Sequence, residues 1–179
     1  MAKILPKLHP PLPPIVIVQH IPAGFSKLFA DRMNNECSLT VKKAEHGEII
    51  QQNSVYIAPG GLHMELRHHI PSGFQINCFM APPVHSCRPA VDILFKSVAE
   101  LVGAAALGVI LTGIGHDGTE GLLEMKKQGA ATLGQDAATS VVYGMPKSAF
   151  DAGAVDTQIA LDAMALAITS LVHKKNANL

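Results

Sequence analysis

Apolar residues occur along this chain in two kinds of pattern, and the first kind predicts β-strands. Ile15–Val18 is a β-branched run without polar alternation, and Ala106–Leu111 is a second, longer apolar run. Such runs are typical of strands that are buried on both faces of a sheet. Further strand-like segments, separated by turn residues, are Leu39–Lys43, Val55–Ala58, Met64–Arg67, Phe74–Phe79 and Ala130–Leu133.

The second kind of pattern spaces apolar residues three and four positions apart, which predicts helices. It occurs in Phe25–Met33, Val91–Val102, Leu122–Met125 and Leu161–Val172. Strands that alternate with helices predict an α/β fold, here a doubly wound, mainly parallel sheet with an antiparallel section in its middle. The length of 179 residues predicts one domain, residues 1–179. Because chemistry in such sheets lies at the carboxyl ends of strands, Gln19-His20 and the Gly113–Gly118 loop are the candidate site segments.

Composition narrows the classes of function. Fourteen basic and fourteen acidic residues leave no net charge, so we expect no nucleic-acid binding. The three cysteines are widely spaced and form no C-x-x-C pair, which favours reduced thiols over a disulfide framework or zinc ribbon. The scattered histidines lack metal-ligand spacing, so no metal is expected. Prolines interrupt the N-terminal segment and no apolar run is long enough to span a bilayer, which predicts a cytoplasmic protein without membrane insertion.

The segment from Gly113 to Gly118 has the form G-x-G-x-x-G and allows three interpretations. It follows a predicted strand, and Asp136 lies about twenty residues later, as in a dinucleotide-binding loop. However, the carboxylate of Asp117 would repel a pyrophosphate held in the same loop. In a second interpretation the glycines serve only a tight turn and Asp117 caps the following helix. In the third, Asp117 orients the imidazole of His20, which ends another strand, in a hydrolytic site of the Ser-His-Asp type.

Five separated motifs resemble the catalytic domain of the chemotaxis protein-glutamate methylesterases, the CheB family. They occur in the family's order between about Ile15 and Val155, which is most of the chain. The motifs are Val16–Phe25, Tyr56–Gly60 with His63-Met64, Arg88–Phe95, Gly108–Gly118 and Val141–Pro146.

The resemblance implies an esterase that removes methyl groups from glutamates of methyl-accepting chemotaxis receptors, with a related glutamine deamidase activity. It implies that His20 is the general base, that Asp117 fixes the histidine tautomer, and that the backbone N–H of Ile114 donates to the oxyanion. No cofactor is expected, the chemotaxis receptors are the expected partners, and a monomer is expected.

One feature of the family pattern is absent from these 179 residues. The family's nucleophilic serine lies in a Ser-Thr-Gly-Gly turn after its first strand, and no such sequence occurs here. We therefore expect an N-terminally incomplete domain, with its first strand missing, no receiver domain and impaired activity. Ser26 is interpreted as a helix-start residue, Ser86 lies in a loop rather than a strand-to-helix elbow, and Cys87 is an alternative nucleophile beside Arg88.

The sequence also allows two alternatives to an esterase. A non-catalytic module could keep the receptor-docking surface without the serine. The glycine-rich loop, taken by itself, would favour a nucleotide-binding α/β domain.

Overall fold

The computed structural model of the protein describes residues 1–71 and 73–176. The chain divides into two compact units, Met1–Leu94 and Phe95–Leu179. Across the described residues, the helices fall short of what a bilayer-crossing segment needs in length or apolar character.

The first unit contains a parallel sheet and an antiparallel hairpin. The parallel sheet has the order β1-β3-β2, and β4 pairs with β5 in the hairpin. In register, Val16 of β1 lies opposite Tyr56 of β3, while Leu66 of β4 lies opposite Ile76 of β5. The elements of this unit are β1 (Ile15–Ile17), α1 (Phe25–Glu36), β2 (Thr40–Lys43), β3 (Ser54–Ile57), β4 (His63–His68) and β5 (Phe74–Phe79), preceded by a short 3-10 helix (Leu5–Lys7).

Position in the sheet decides how deeply each strand of the first unit is buried. Val55, Tyr56 and Ile57 of β3 are buried, because β3 lies between two partners. In β1, by contrast, only Ile17 is buried, and Ile15 and Val16 are half-buried. The prediction of full burial was therefore wrong for this strand: β1 pairs with one neighbour within the described residues and stands at the end of the sheet order.

The second unit contains a parallel sheet of order β6-β7-β8. The central strand β7 buries its last four residues, and the outer strand β6 is half-buried at Leu107 and Val109, again less than predicted. The elements from the unit boundary onward are α2 (Val91–Val102), which begins in the first unit, β6 (Leu107–Ile110), α3 (Thr119–Lys127), β7 (Ala131–Gln135), α4 (Met145–Asp151), β8 (Thr157–Ile159) and α5 (Leu161–Asn176).

The predicted fold class is confirmed as a mixed α/β fold with mainly parallel sheets and one antiparallel section. Each predicted strand and helix is present, with ends shifted by a few residues. Among the described residues, the α-helix α4 and the strand β8 were not predicted, and neither were the short 3-10 helices at Leu5–Lys7 and Gly103–Ala105. All are short, and the three residues of β8 offer too few positions for a period to be visible.

Asp156 precedes β8 and anchors it within the second unit. Its carboxylate accepts a hydrogen bond from the N–H of Thr132 at 2.9 Å and pairs with the ammonium of Lys126 at 2.9 Å. Burial alone would raise the pKa of Asp156, but the hydrogen bonds from Lys126 and Thr132 outweigh it and hold the pKa below its usual value.

We expect Asp156→Asn to destabilise the protein at pH 7 by a few tenths to about 1 kcal/mol, because the ion pair is partly exposed. A lowered folded-state pKa stabilises the fold above the unfolded pKa of about 4, and this contribution is lost as the pH falls through the folded value. Urea unfolding at pH 7 and pH 3 should therefore show a difference from wild type that shrinks at the lower pH. Asp31→Asn, at an exposed ion pair of α1, is the control. An equal difference at both pH values would contradict the prediction.

Candidate active site

His20 lies just after β1, at the carboxyl end of the strand. The N–H of Ala58 donates to the carbonyl of Ile17 at 2.8 Å and extends the pairing with β3 to the strand's last residue. The chain then turns sharply, since the N–H of Ile21 donates to the carbonyl of Gln19 at 2.8 Å across His20. This three-residue turn leaves His20 exposed, so its imidazole is open to solvent and to reagents.

The loop after His20 packs against the turn that follows β3. A Cβ added at Gly60 would lie 2.7 Å from the carbonyl oxygen of Pro22 and 2.9 Å from the Cα of Ala23, so only glycine fits there. The N–H of Gly60 also donates to the hydroxyl of Ser26 at 3.3 Å. Ser26 is buried in the first turn of α1, as the interpretation of this serine as a helix-start residue requires.

Cys87 is the residue that the fold of the first unit brings to His20. A ring nitrogen of His20 and the Sγ of Cys87 lie within 4.8 Å of one another, although the residues are far apart in sequence. Cys87 is half-buried, and Ser86 is exposed beside it. Sequence reasoning weighed Cys87 as a nucleophile beside Arg88 and did not pair it with His20; no local signal in the sequence could have paired them. Imidazole nitrogen and thiolate sulfur are zinc ligands, but two from this unit are fewer than zinc sites normally use.

Asp117 lies in the second unit, in the loop that joins β6 to α3. It is only 2% exposed, which is unusual for a carboxylate and calls for polar partners. Gly118 follows with a φ of 92° as the N-cap of α3, and the N–H of Thr119 donates to the carbonyl of His116 at 3.1 Å. The carboxylate is thus held at the carboxyl end of a parallel strand, next to a helix N-terminus whose dipole favours negative charge.

The beginning of this loop is fixed by the first residue of α4 and by the segment before that helix. A Cβ at Gly113 would lie 2.3 Å from the Sδ of Met145, and the Gly113 N–H donates to the carbonyl of Val142 at 3.1 Å. The hydroxyl of Thr112 bonds to the same carbonyl at 3.0 Å. Ile114, which follows Gly113, points its side chain to solvent and is 82% exposed. A donor role for the backbone of Ile114 would therefore not depend on which side chain stands there.

The dinucleotide interpretation of the glycine-rich loop required Asp136 to bind a ribose. Instead, the carboxylate of Asp136 accepts hydrogen bonds from the backbone N–H of Thr139 at 2.9 Å and from its hydroxyl at 2.5 Å. Both bonds go to Oδ1 and close a local turn after β7. Together with the buried Asp117, this favours a catalytic or structural loop over a nucleotide-binding one.

His20 and Asp117 lie in different units of the chain, and their pairing in one site stays a prediction. Each unit contributes one of the two side chains. The first places an exposed imidazole after a parallel strand, and the second places a buried carboxylate after another. This is the arrangement of an α/β domain whose chemistry lies at the carboxyl ends of its strands.

Known proteins with this architecture identify the family. A sequence model of the CheB methylesterase family matches residues 1–168. The chain therefore belongs to the CheB methylesterase family.

Individual relatives agree with that assignment. The chain is 44% identical over 175 residues to a protein-glutamate methylesterase/protein-glutamine glutaminase of Syntrophotalea carbinolica, covering 97% of this chain and 49% of the relative. It is 49% identical over 158 residues to a protein of the same description, of the group 3 operon, from Bradyrhizobium diazoefficiens, covering 88% and 43%. The chain thus spans about half the length of the curated relatives that it matches. The crystal structure of the Thermotoga maritima CheB methylesterase catalytic domain superposes with a TM-score of 0.92 at 37% identity, covering 96% of this chain and 90% of that one.

Proposed function

We propose that residues 1–179 belong to one catalytic domain that hydrolyses the methyl esters of glutamates on methyl-accepting chemotaxis receptors. Deamidation of glutamines on the same receptors is the second activity, as the names of the relatives suggest. The observation that carries the proposal is the placement of His20 and Asp117. Each follows the carboxyl end of a parallel strand, in a chain that resembles a CheB catalytic domain over 96% of its length.

The proposed chemistry is acyl transfer through a serine. His20 takes the proton of the serine hydroxyl as the oxygen attacks the ester carbonyl, and then gives it to the departing methanol. Asp117 accepts the other imidazole N–H, which fixes the tautomer and stabilises the imidazolium. The backbone N–H of Ile114 donates to the oxyanion of the tetrahedral intermediate, and water then hydrolyses the acyl-enzyme.

The structure of Asp117 supports its role physically. A carboxylate that is 2% exposed must have compensating partners, and a buried anion interacts more strongly with a neighbouring cation than an exposed one. His20, in contrast, is exposed, as a base that meets a large protein substrate must be. The burial of the two groups thus matches their proposed tasks.

These 179 residues contain no Ser-Thr-Gly-Gly sequence, the turn in which the family's nucleophilic serine lies. The test compares the 179-residue chain with a version extended at its N-terminus by a strand ending in that turn. We expect the chain alone to release methanol from methylated receptor at a trace rate, and the extension to raise the rate by about 10⁴-fold or more, because a triad without its nucleophile loses the covalent route. Exchange of the added serine for alanine is the matched control.

Two outcomes would contradict the proposal. Full turnover by the 179-residue chain would show that the nucleophile is not the expected serine. An extended protein that folds and binds receptor but hydrolyses no ester would show a receptor-binding module in place of an esterase.

A further inference from the structure

We propose that Cys87 is a modification site, at which hydrogen peroxide oxidises the thiol to a sulfenic acid with the His20 imidazole as proton acceptor and donor. The proposal concerns the chemistry of a thiol beside an imidazole, and it stands whether or not the chain hydrolyses receptor esters. It rests on four features of the first unit: the turn that presents Cys87, the anchors of that turn, the distance to His20 and the contrast with the other two thiols.

Cys87 ends a four-residue turn that two backbone hydrogen bonds close. The N–H of Val84 donates to the carbonyl of Cys87 at 3.0 Å, and the N–H of Cys87 donates to the carbonyl of Val84 at 2.8 Å. The two residues between them, His85 and Ser86, have φ values of 50° and 62°. Two successive left-handed residues inside a doubly bonded four-residue turn define a type I′ geometry, which side chains other than glycine and asparagine adopt at a cost. The rest of the fold therefore holds His85 and Ser86 in an unfavourable backbone conformation, and this fixes the backbone at Cys87.

Side chains on both sides anchor this turn. The Nε2 of His85 lies 3.0 Å from a carboxylate oxygen of Asp92, which is 1% exposed in the first turn of α2. On the other side, the guanidinium of Arg88 donates to the carbonyl of Ala81 at 2.8 Å. A buried carboxylate that bonds to the turn restricts its movement, so the position of the Cys87 sulfur is set by the fold.

The sulfur stands next to a base. A ring nitrogen of His20 lies within 4.8 Å of the Cys87 Sγ. An imidazole beside a thiol favours the thiolate, which is the nucleophilic form. His20 is exposed and Cys87 is half-buried, so neither residue is enclosed in the core.

The other two thiols lie in unfavourable surroundings. Burial raises the pKa of Cys78 to about 11. Burial, and then the negative charge of Glu36, raise the pKa of Cys37 above its usual value. At pH 7 a thiol with a pKa near 11 is ionised in about one molecule in 10⁴. Of the three cysteines, Cys87 is therefore the one whose surroundings favour reaction.

Hydrogen peroxide is the only oxidant that this step needs. The thiol proton moves to the imidazole of His20, and the thiolate attacks one peroxide oxygen. The S–O bond forms as the O–O bond breaks, and the departing hydroxide takes the proton from the imidazolium and leaves as water. The sulfur loses two electrons, the peroxide gains them, and His20 returns to its initial state.

The experiment measures modification of the intact 179-residue chain by mass spectrometry at pH 7. Peroxide is added with dimedone, which traps sulfenic acids, and peptide mapping locates the label. We expect the label at Cys87 at least about tenfold faster than at Cys37 or Cys78, and we expect N-ethylmaleimide to show the same preference. Cys37→Ser and Cys78→Ser should keep the fast reaction, whereas Cys87→Ser should lose it. His20→Gln should slow labelling of Cys87 by about tenfold, with His46→Gln as the exposed-histidine control.

Several results would overturn the proposal. Labelling spread equally over the three cysteines would show that the Cys87 turn creates no special reactivity. Fast labelling that persists unchanged in His20→Gln would remove the imidazole from the step. Circular dichroism shows whether each variant keeps its fold. Cys87→Ala and Cys87→Ser both remove the thiol, so a folded variant of either kind that loses the label shows that the thiol was the site.

Discussion

His20→Gln is expected to lower ester hydrolysis by about 10²–10⁴-fold in the protein extended by the Ser-Thr-Gly-Gly segment, with kcat affected far more than KM. The reason is that glutamine keeps a polar side chain at the exposed position after β1 but cannot take up and return a proton. Binding of the receptor depends on the surrounding surface, which this exchange leaves in place. The measurement is methanol release from methylated receptor over a range of receptor concentrations.

The control for this prediction is His46→Gln, since His46 is also exposed but lies in the connection between β2 and β3. It should leave kcat within about twofold of wild type. A His20→Ala variant gives a second readout, because added imidazole should restore part of its kcat if the ring acts as a base. An unchanged kcat in His20→Gln would remove His20 from the proposed mechanism.

His63→Leu is expected to destabilise the fold by about 2–5 kcal/mol, because His63 joins three segments of the first unit. His63 begins β4 and is completely buried. The N–H of Ala90 donates to its Nδ1 at 3.2 Å, and its Nε2 lies 3.0 Å from the carbonyl oxygen of Pro82. Since Nδ1 accepts, the ring proton is on Nε2 and is donated to Pro82.

Leucine at position 63 would fill much of the space and leave both backbone groups without their partner. The unsatisfied N–H of the buried Ala90 costs about 1–3 kcal/mol. Loss of the part-buried bond to Pro82 and of the packing around the buried ring adds the rest of the expected effect. Urea unfolding at pH 7 measures it. The matched control is His68→Leu at the exposed other end of the same strand, which should change stability by less than about 0.5 kcal/mol. Equal effects of the two exchanges would contradict the role given to His63.

His63 also bears on the candidate site, since Pro82 and Ala90 lie on either side of the Cys87 turn. The imidazole ties the two ends of that loop to the start of β4. A protein weakened at His63 should therefore label more evenly over its three cysteines. This connects the stability of the first unit to the position of a residue that stands beside His20.

Local patterns in the sequence determined much of the fold. The apolar runs Ile15–Val18 and Ala106–Leu111 predicted strands β1 and β6, because short apolar runs that are bounded by turn residues are typical of buried strands. The spacing within Val91–Val102 predicted the bounds of α2 correctly. The order of five motifs also identified the family that the comparisons then showed. His20 and Asp117 were proposed from the sequence because each follows a predicted strand, and their catalytic roles stay predictions.

Other properties depend on residues distant in sequence, and only the tertiary structure decided them. Outer positions in the sheet order left β1 and β6 half-buried, which a run of apolar letters cannot reveal. The burial of His63 follows from contacts with Pro82 and Ala90, and the approach of Cys87 to His20 follows from the turn at His85-Ser86 and its anchor on Asp92. A local pattern records what a segment prefers by itself. The partner that a side chain meets is set by how the segments pack, and the proximity of Cys87 to His20 is decided in that way.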